Sequence, residues 1–172
     1  MGDTATKIKR SLWKNFLNTT PGGASETWSY MNLGITSQQM SYNAQTTTET
    51  YVGEDNARTS TDSYQMSMNT PMTCYKGDAI FEFIDGLRKK RAVEGDCETQ
   101  MLSVNAYDST DGKFSAELND VSIAISDFGG DGGKPISLTF TISVNGDPTY
   151  GTATISSAGA VTFTAAAAST GA

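Results

Sequence analysis

The chain has 172 residues, a net charge of −7, 37% hydrophobic residues and no histidine. An acidic chain cannot hold nucleic acid by counterion release, which needs clustered Lys and Arg, and without histidine the commonest general base and neutral metal ligand are missing. The length suits one domain. Ser and Thr, not charge, fill the apolar shortfall, which indicates polar-faced strands and long loops and excludes a fully disordered chain.

Residues 1 to about 26 read as an N-terminal arm: a polar segment with scattered anchors at Ile8, Leu12, Trp13, Phe16 and Leu17, broken by Pro21-Gly22-Gly23. The anchors either fold back onto their own core or bind a neighbour. Strand signals begin at Thr27, with Trp28, Tyr30 and Met31 leading to Leu33 and Ile35. From about Thr36 to Thr61 the chain is nearly free of aliphatic residues and reads as one long loop, a length that marks either function or disorder in a compact domain. A strand follows with Tyr64, Met66 and Met68 expected on one face, and Pro71 marks a bend or an edge.

The one helix is expected over about residues 78–92. Asp78 is placed to cap its first turn. Ile80, Phe83, Ile84 and Leu87 recur at helical spacing and form an apolar stripe. Arg88 to Arg91 oppose the negative end of the helix dipole, Asp85 precedes Lys89 by one turn in the favourable order, and Gly95 is the expected stop. A lone amphipathic helix must lay its stripe on something, and here the partner on offer is a sheet.

Beyond the helix the β pattern is plain. Met101 to Tyr107 reads as one strand with Leu102, Val104 and Ala106 on one face, a turn is expected over Asp108-Ser109-Thr110-Asp111-Gly112, and Phe114 to Ile125 alternate again. Asp127 to Lys134 is a glycine-rich hairpin connection. Ile136, Leu138, Phe140, Ile142 and Val144 then alternate with Ser137, Thr139, Thr141 and Ser143, so the apolar face is expected to pack against Ile80, Phe83, Ile84 and Leu87. Asn145-Gly146 is a hairpin signal, and short strands near Gly151–Ile155 and Val161–Thr164 close the domain. The fold class is therefore mainly β: an antiparallel sandwich or barrel with one flanking α-helix, a body over 27–165 and a loose tail over 166–172.

Chemistry is sparse. Cys74 and Cys97 make no zinc spacing, and with no apolar h-region ahead of them they are expected as reduced thiols. Gly129 to Lys134 lacks the Ser or Thr after Lys and leads into Pro135 and a strand, so it is no phosphate loop. Asp127 and Asp131 do not complete a calcium loop. Glu54 and Asp55 lie in a polar run with no apolar pocket to raise a pKa. No stretch approaches the roughly 20 apolar residues of a membrane helix. No enzymatic activity, cofactor or metal is expected.

The stretch from Tyr51 to Asp108 resembles the major tail, or tail tube, proteins of long-tailed bacteriophages. The likeness spans roughly residues 27 to 150. It rests on a long polar loop, a strand, a helix of the form D-x-I-x-x-F-I-x-x-L-R beginning at Asp78, and a strand-rich second half. The resemblance implies a subunit that closes into rings of six, with rings stacking into a tube that conducts phage DNA during ejection without binding it specifically. The long loop would then reach a neighbour through Tyr51, Glu54, Asp55 and Arg58, and Ser137, Thr139, Thr141 and Ser143 are candidates to face the channel. Implied partners are sister copies and the tape-measure and tail terminator or tip proteins, in a virion tail assembled in the host cytoplasm. The competing class is an extracellular β-sandwich binding or adhesion module, which shares the Ser/Thr richness and acidic character but would more often carry a signal peptide and an aromatic patch.

Overall fold

The computed structural model describes residues 5–167. Its strands are β1 (Trp13–Asn18), β2 (Trp28–Tyr30), β3 (Gln39–Ser41), β4 (Ala44–Glu49), β5 (Arg58–Tyr64), β6 (Ser67–Thr73), β7 (Glu98–Thr110), β8 (Lys113–Gly129), β9 (Ser137–Ile155) and β10 (Val161–Ala165), with the helix α1 (Ala79–Lys90) between β6 and β7. Eight strands form one antiparallel sheet in the order β2-β1-β7-β8-β9-β6-β3, with β10 paired to the far end of β9. The hairpin β4-β5 is a separate two-stranded ladder.

Turn chemistry sets the register where β7 meets β8, and an irregularity between Asn105 and Ser109 resets it further along, so that Asp108 to Thr110, expected in the turn, belong to β7. Asp111 and Gly112 have φ of 52° and 74°, the two left-handed positions of a type I′ turn, and so join β7 to β8 with Thr110 opposite Lys113. The glycine-rich segment joins β8 to β9, as its composition suggests. Asn145-Gly146 does not make a hairpin. It lies in an irregularity within β9, where Leu118 and Asp120 of β8 oppose Thr149 and Asn145. The extra residues bulge out of the ladder, and the strand expected to start afresh near Gly151 is the continuation of β9.

Two further expectations are corrected. Residues 13–18, read as part of an arm, form β1, which is inserted between β2 and β7 with Asn15 to Asn18 buried. Residues 36–61, read as a structureless loop, contain β3, β4 and the first part of β5. The tail expected from residue 166 is described only as far as Ala167, where the Ala166 N–H donates to the Tyr150 carbonyl at 2.9 Å; the rest lies outside the described residues.

The sheet has an apolar cluster on each face. The larger comprises Leu17, Met31, Met68, Met72, Met101, Val121, Ile123, Leu138, Phe140 and Ile142, and α1 lies across it through the buried Ile80 and Ile84 and the half-buried Phe83 and Leu87. Full burial of one such aliphatic side chain contributes about 1.5–3 kcal/mol, which is what holds the helix down. Ile136, expected in this core, is 50% exposed, because the strand begins only at Ser137. Tyr64 also departs from its expected partner Met68: the former is exposed at the end of the hairpin, the latter fully buried in β6. The smaller cluster (Phe16, Leu102, Val104, Ala116, Ala153 and Val161) lies at the other end of the sheet on the opposite face.

The helix begins where Asp78 accepts the Phe81 N–H at 2.9 Å. It ends at Arg91, whose φ of 50° is left-handed, not at Gly95, which lies in a following 3₁₀ turn. Asp85, buried on the helix flank, pairs with Lys89 at 2.6 Å and Arg88 at 2.7 Å, and chiefly the Lys89 hydrogen bond holds its carboxyl below the usual range. Cys74 and Cys97 are both free thiols. Partial burial pushes the Cys74 thiol up.

The two margins of the curled sheet are tied by one buried side chain. Gln38, just ahead of β3, accepts from Asn15 Nδ2 of β1 at 3.0 Å and donates to Thr70 Oγ1 of β6 at 3.5 Å. The other side of the Asn15 amide is satisfied by the Ser103 hydroxyl of β7 at 2.8 Å. A buried polar chain of this kind is favourable because each member has a partner. It places β3 beside β6 and so sets where the hairpin leaves the body.

Candidate assembly surfaces

The hairpin β4-β5 is exposed at every residue of both strands. Neither face is covered, and an isolated two-stranded ladder is marginal in water. Its own order comes from short-range polar contacts. Thr48 and Thr59 hydroxyls meet at 3.0 Å, and the Thr47 and Ser60 hydroxyls donate to the Asp62 carboxylate. At the root, Asn43 (φ of 44°) donates its amide to the Gln65 carbonyl at 2.9 Å, and the Tyr42 and Tyr64 rings meet edge to face at 6.1 Å.

The structure brings three of the four sequence-derived loop residues together at the tip. Arg58 forks onto the Glu54 carboxylate, and its guanidinium lies 5.6 Å from the Tyr51 ring centre. Asp55 is exposed beside them. Both charges of the Arg58–Glu54 pair are in or near solvent, so the pair orders the tip more than it stabilises the fold. The tip also presents Val52 with its side chain fully in solvent, an uncommon place for an aliphatic residue at the end of a protruding element.

A second surface lies on the body, on the sheet face turned away from α1. Register places Ser67, Ser143 and Ser122 in one row, Asn69, Thr141 and Ala124 in the next, then Pro71, Thr139 and Asp127, then Thr73, Ser137 and Gly129. Side chains of antiparallel partners share a face, so the four sequence-derived β9 residues are the middle column of a three-strand panel. None of these residues is buried, and none is basic. Glu98, paired with Ser122, and Asp127 are its carboxylates. The reverse face of the same rows is Met68, Ile142 and Ile123, Thr70, Phe140 and Ile125, which belong to or border the core under α1. Pro71 is tolerated here because its missing N–H is on the outer side: two residues on, the Thr73 N–H points away from β9 to the Gly34 carbonyl at 2.9 Å, past the end of β3.

Two features escape a reading by composition. Gln38 sits in a polar segment with no period to mark it as buried. The exposed tyrosines 42, 64, 107 and 150 are far apart in the chain, and only the fold gathers them around the hairpin root. Among the described residues there is no group of three or more Cys, Asp or Glu placed to hold a metal ion.

No protein-family model and no curated protein sequence matches the chain. Solved structures do. The chain is similar to the subunit of the SPP1 tail tube, a hybrid solid-state NMR and cryo-EM structure, with a TM-score of 0.59 and 13% identity over 84% of this chain and 78% of that one. It is equally similar to a chain from the tail of an empty GTA particle refined with helical C6 symmetry, with a TM-score of 0.58 and 13% identity over 84% of this chain and 98% of that one. At this identity the likeness establishes the fold: the chain has the mainly β fold, with one flanking helix, of tail tube subunits.

Proposed function

We propose that the protein is a structural subunit of a phage-type tail tube, in which rings of six copies stack around a channel that passes DNA. The observation that carries this reading is the likeness to two tail structures over most of their length, one of them refined with sixfold helical symmetry. Two properties of the subunit support it. Among the described residues nothing covers either face of the hairpin, so a neighbour is the natural source of its packing. The hydroxyl panel carries no Lys or Arg, so it gives phosphates no cation and no counterion-release gain, only neutral hydroxyl contacts.

In this reading Ser137, Thr139, Thr141 and Ser143 face the channel, and Tyr51, Glu54, Asp55 and Arg58 touch an adjacent subunit. The role is passive conduction and not catalysis. Its setting is the virion tail, with tape-measure and terminator or tip proteins as end partners and assembly in the host cytoplasm. Sedimentation velocity and negative-stain microscopy of the concentrated pure chain test it. Hollow polymers of uniform diameter are expected; a chain that remains monomeric across salt and temperature overturns it.

A further inference from the structure

At the hairpin root Tyr42, Tyr64 and Tyr150 wall an open groove of about 720 Å³ whose charged residues are Asp62, Glu117 and Asp147, with no lysine or arginine. The three tyrosines are more than half exposed. Their arrangement is built in: Tyr42 and Tyr64 pack edge to face, and Tyr150 lies opposite Glu117 in the β8-β9 ladder. Asp62 is occupied by hydroxyl donors. Among the described residues no cation forms an ion pair with Glu117 or Asp147. Aromatic faces beside unpaired carboxylates select a cation, and a guanidinium above an ammonium.

The same chain carries the complement. At the end of α1, Arg88 and Lys89 are engaged by Asp85. Lys90 and the left-handed Arg91 project into solvent, form no ion pair among the described residues, and are followed by the exposed Val93. This basic and apolar knob stands over Ile123 to Phe128 of β8. The groove opens beside Glu117, six residues earlier on the same strand, or roughly 20 Å along it. The two surfaces are therefore complementary but displaced along the strand direction, and no ion pair joins them within one copy.

We propose that the tyrosine–carboxylate groove of one copy receives the Lys90–Val93 helix end of a second copy. The inference rests on the tube reading and deepens it by assigning a pair of unlike surfaces. Unlike surfaces on one chain make head-to-tail contacts, which generate rings or open stacks in place of closed dimers.

A charge swap in the full-length chain tests it. K90E/R91E and E117K/D147K are each expected to raise the concentration needed for polymerisation by roughly tenfold or more, the loss of about one good charged contact. K113E/K134E, with the same charge change as K90E/R91E but outside both surfaces, is expected to assemble as the wild type does. The chain carrying all four changes K90E, R91E, E117K and D147K restores opposite charges across the contact and is expected to recover assembly. Thermal melting of each variant shows that the subunit is folded. Tubes insensitive to both reversals overturn the pairing alone, as does a loss with E117K/D147K but not with K90E/R91E, which would give the groove another occupant. Failure of the four-fold variant to recover while melting like the wild type also overturns it. A wild-type chain that stays monomeric overturns both the pairing and the tube reading.

Discussion

Replacing Gln38 tests how the sheet margins are held. Its side chain is 8% exposed and is the shared partner of Asn15 in β1 and Thr70 in β6. Gln38→Met keeps the volume but strands the Asn15 amide N–H in the interior, at a cost of about 1–3 kcal/mol for a buried donor without an acceptor. Gln38→Ala adds the loss of a methylene and the space of the amide, bringing the total to about 2–4 kcal/mol. Arg10 also reaches Gln38, but mainly through longer contacts, including the backbone carbonyl, which both variants keep. Urea denaturation at neutral pH measures both. Because Gln38 precedes β3 and β3 leads into the hairpin, the same variants should expose residues 39–66 to limited proteolysis before the body unfolds. A Gln38→Met chain within about 0.5 kcal/mol of wild type, the range of an ordinary surface change, and equally protected there would refute the idea that this amide ties the margins.

Other outcomes follow from the same geometry. Deleting Gln45 to Thr61 removes exposed residues of the hairpin; the shortened chain should melt cooperatively near the wild-type temperature yet fail to polymerise in sedimentation velocity, and tubes from it would remove the hairpin from the assembly. Asp85→Asn should cost about 1 kcal/mol at neutral pH, since it breaks charge-assisted bonds whose cationic ends are partly solvated. The folded Asp85 carboxyl is held below its unfolded value, so its contribution is present above about pH 4 and fades as pH falls through the folded value. The gap between Asp85→Asn and wild type in urea should therefore narrow steadily as pH falls below about 4; a gap that does not change with pH in that range would mean the stabilisation is not ionic.

The helix and the panel strand were legible in the sequence because each has one buried face. Ile80 and Ile84 repeat at helical spacing, and Leu138, Phe140 and Ile142 at strand spacing, all under one core. Strand β1 was not legible because both of its faces are buried: Phe16 joins one cluster, Leu17 the other, and Asn15 and Asn18 are buried through hydrogen bonds. The hairpin gave the opposite problem, since a ladder exposed on both faces has no hydrophobic period. Asn145-Gly146 carries the local chemistry of a turn, but pairing of β9 with β8 on both sides of it makes a bulge. The tip cluster of Tyr51, Glu54 and Arg58 was within reach of sequence spacing. The tyrosine groove was not, because it depends on long-range strand order.

The most direct measurement is a cryo-EM reconstruction of the polymer formed by the pure chain, at a resolution that orients the sheet. A hollow tube is expected whose channel is lined by the rows of Ser122, Ser143 and Thr141, with α1 on the side away from the channel. A tube lined by α1, or concentrated protein that forms no tube at all, would contradict it.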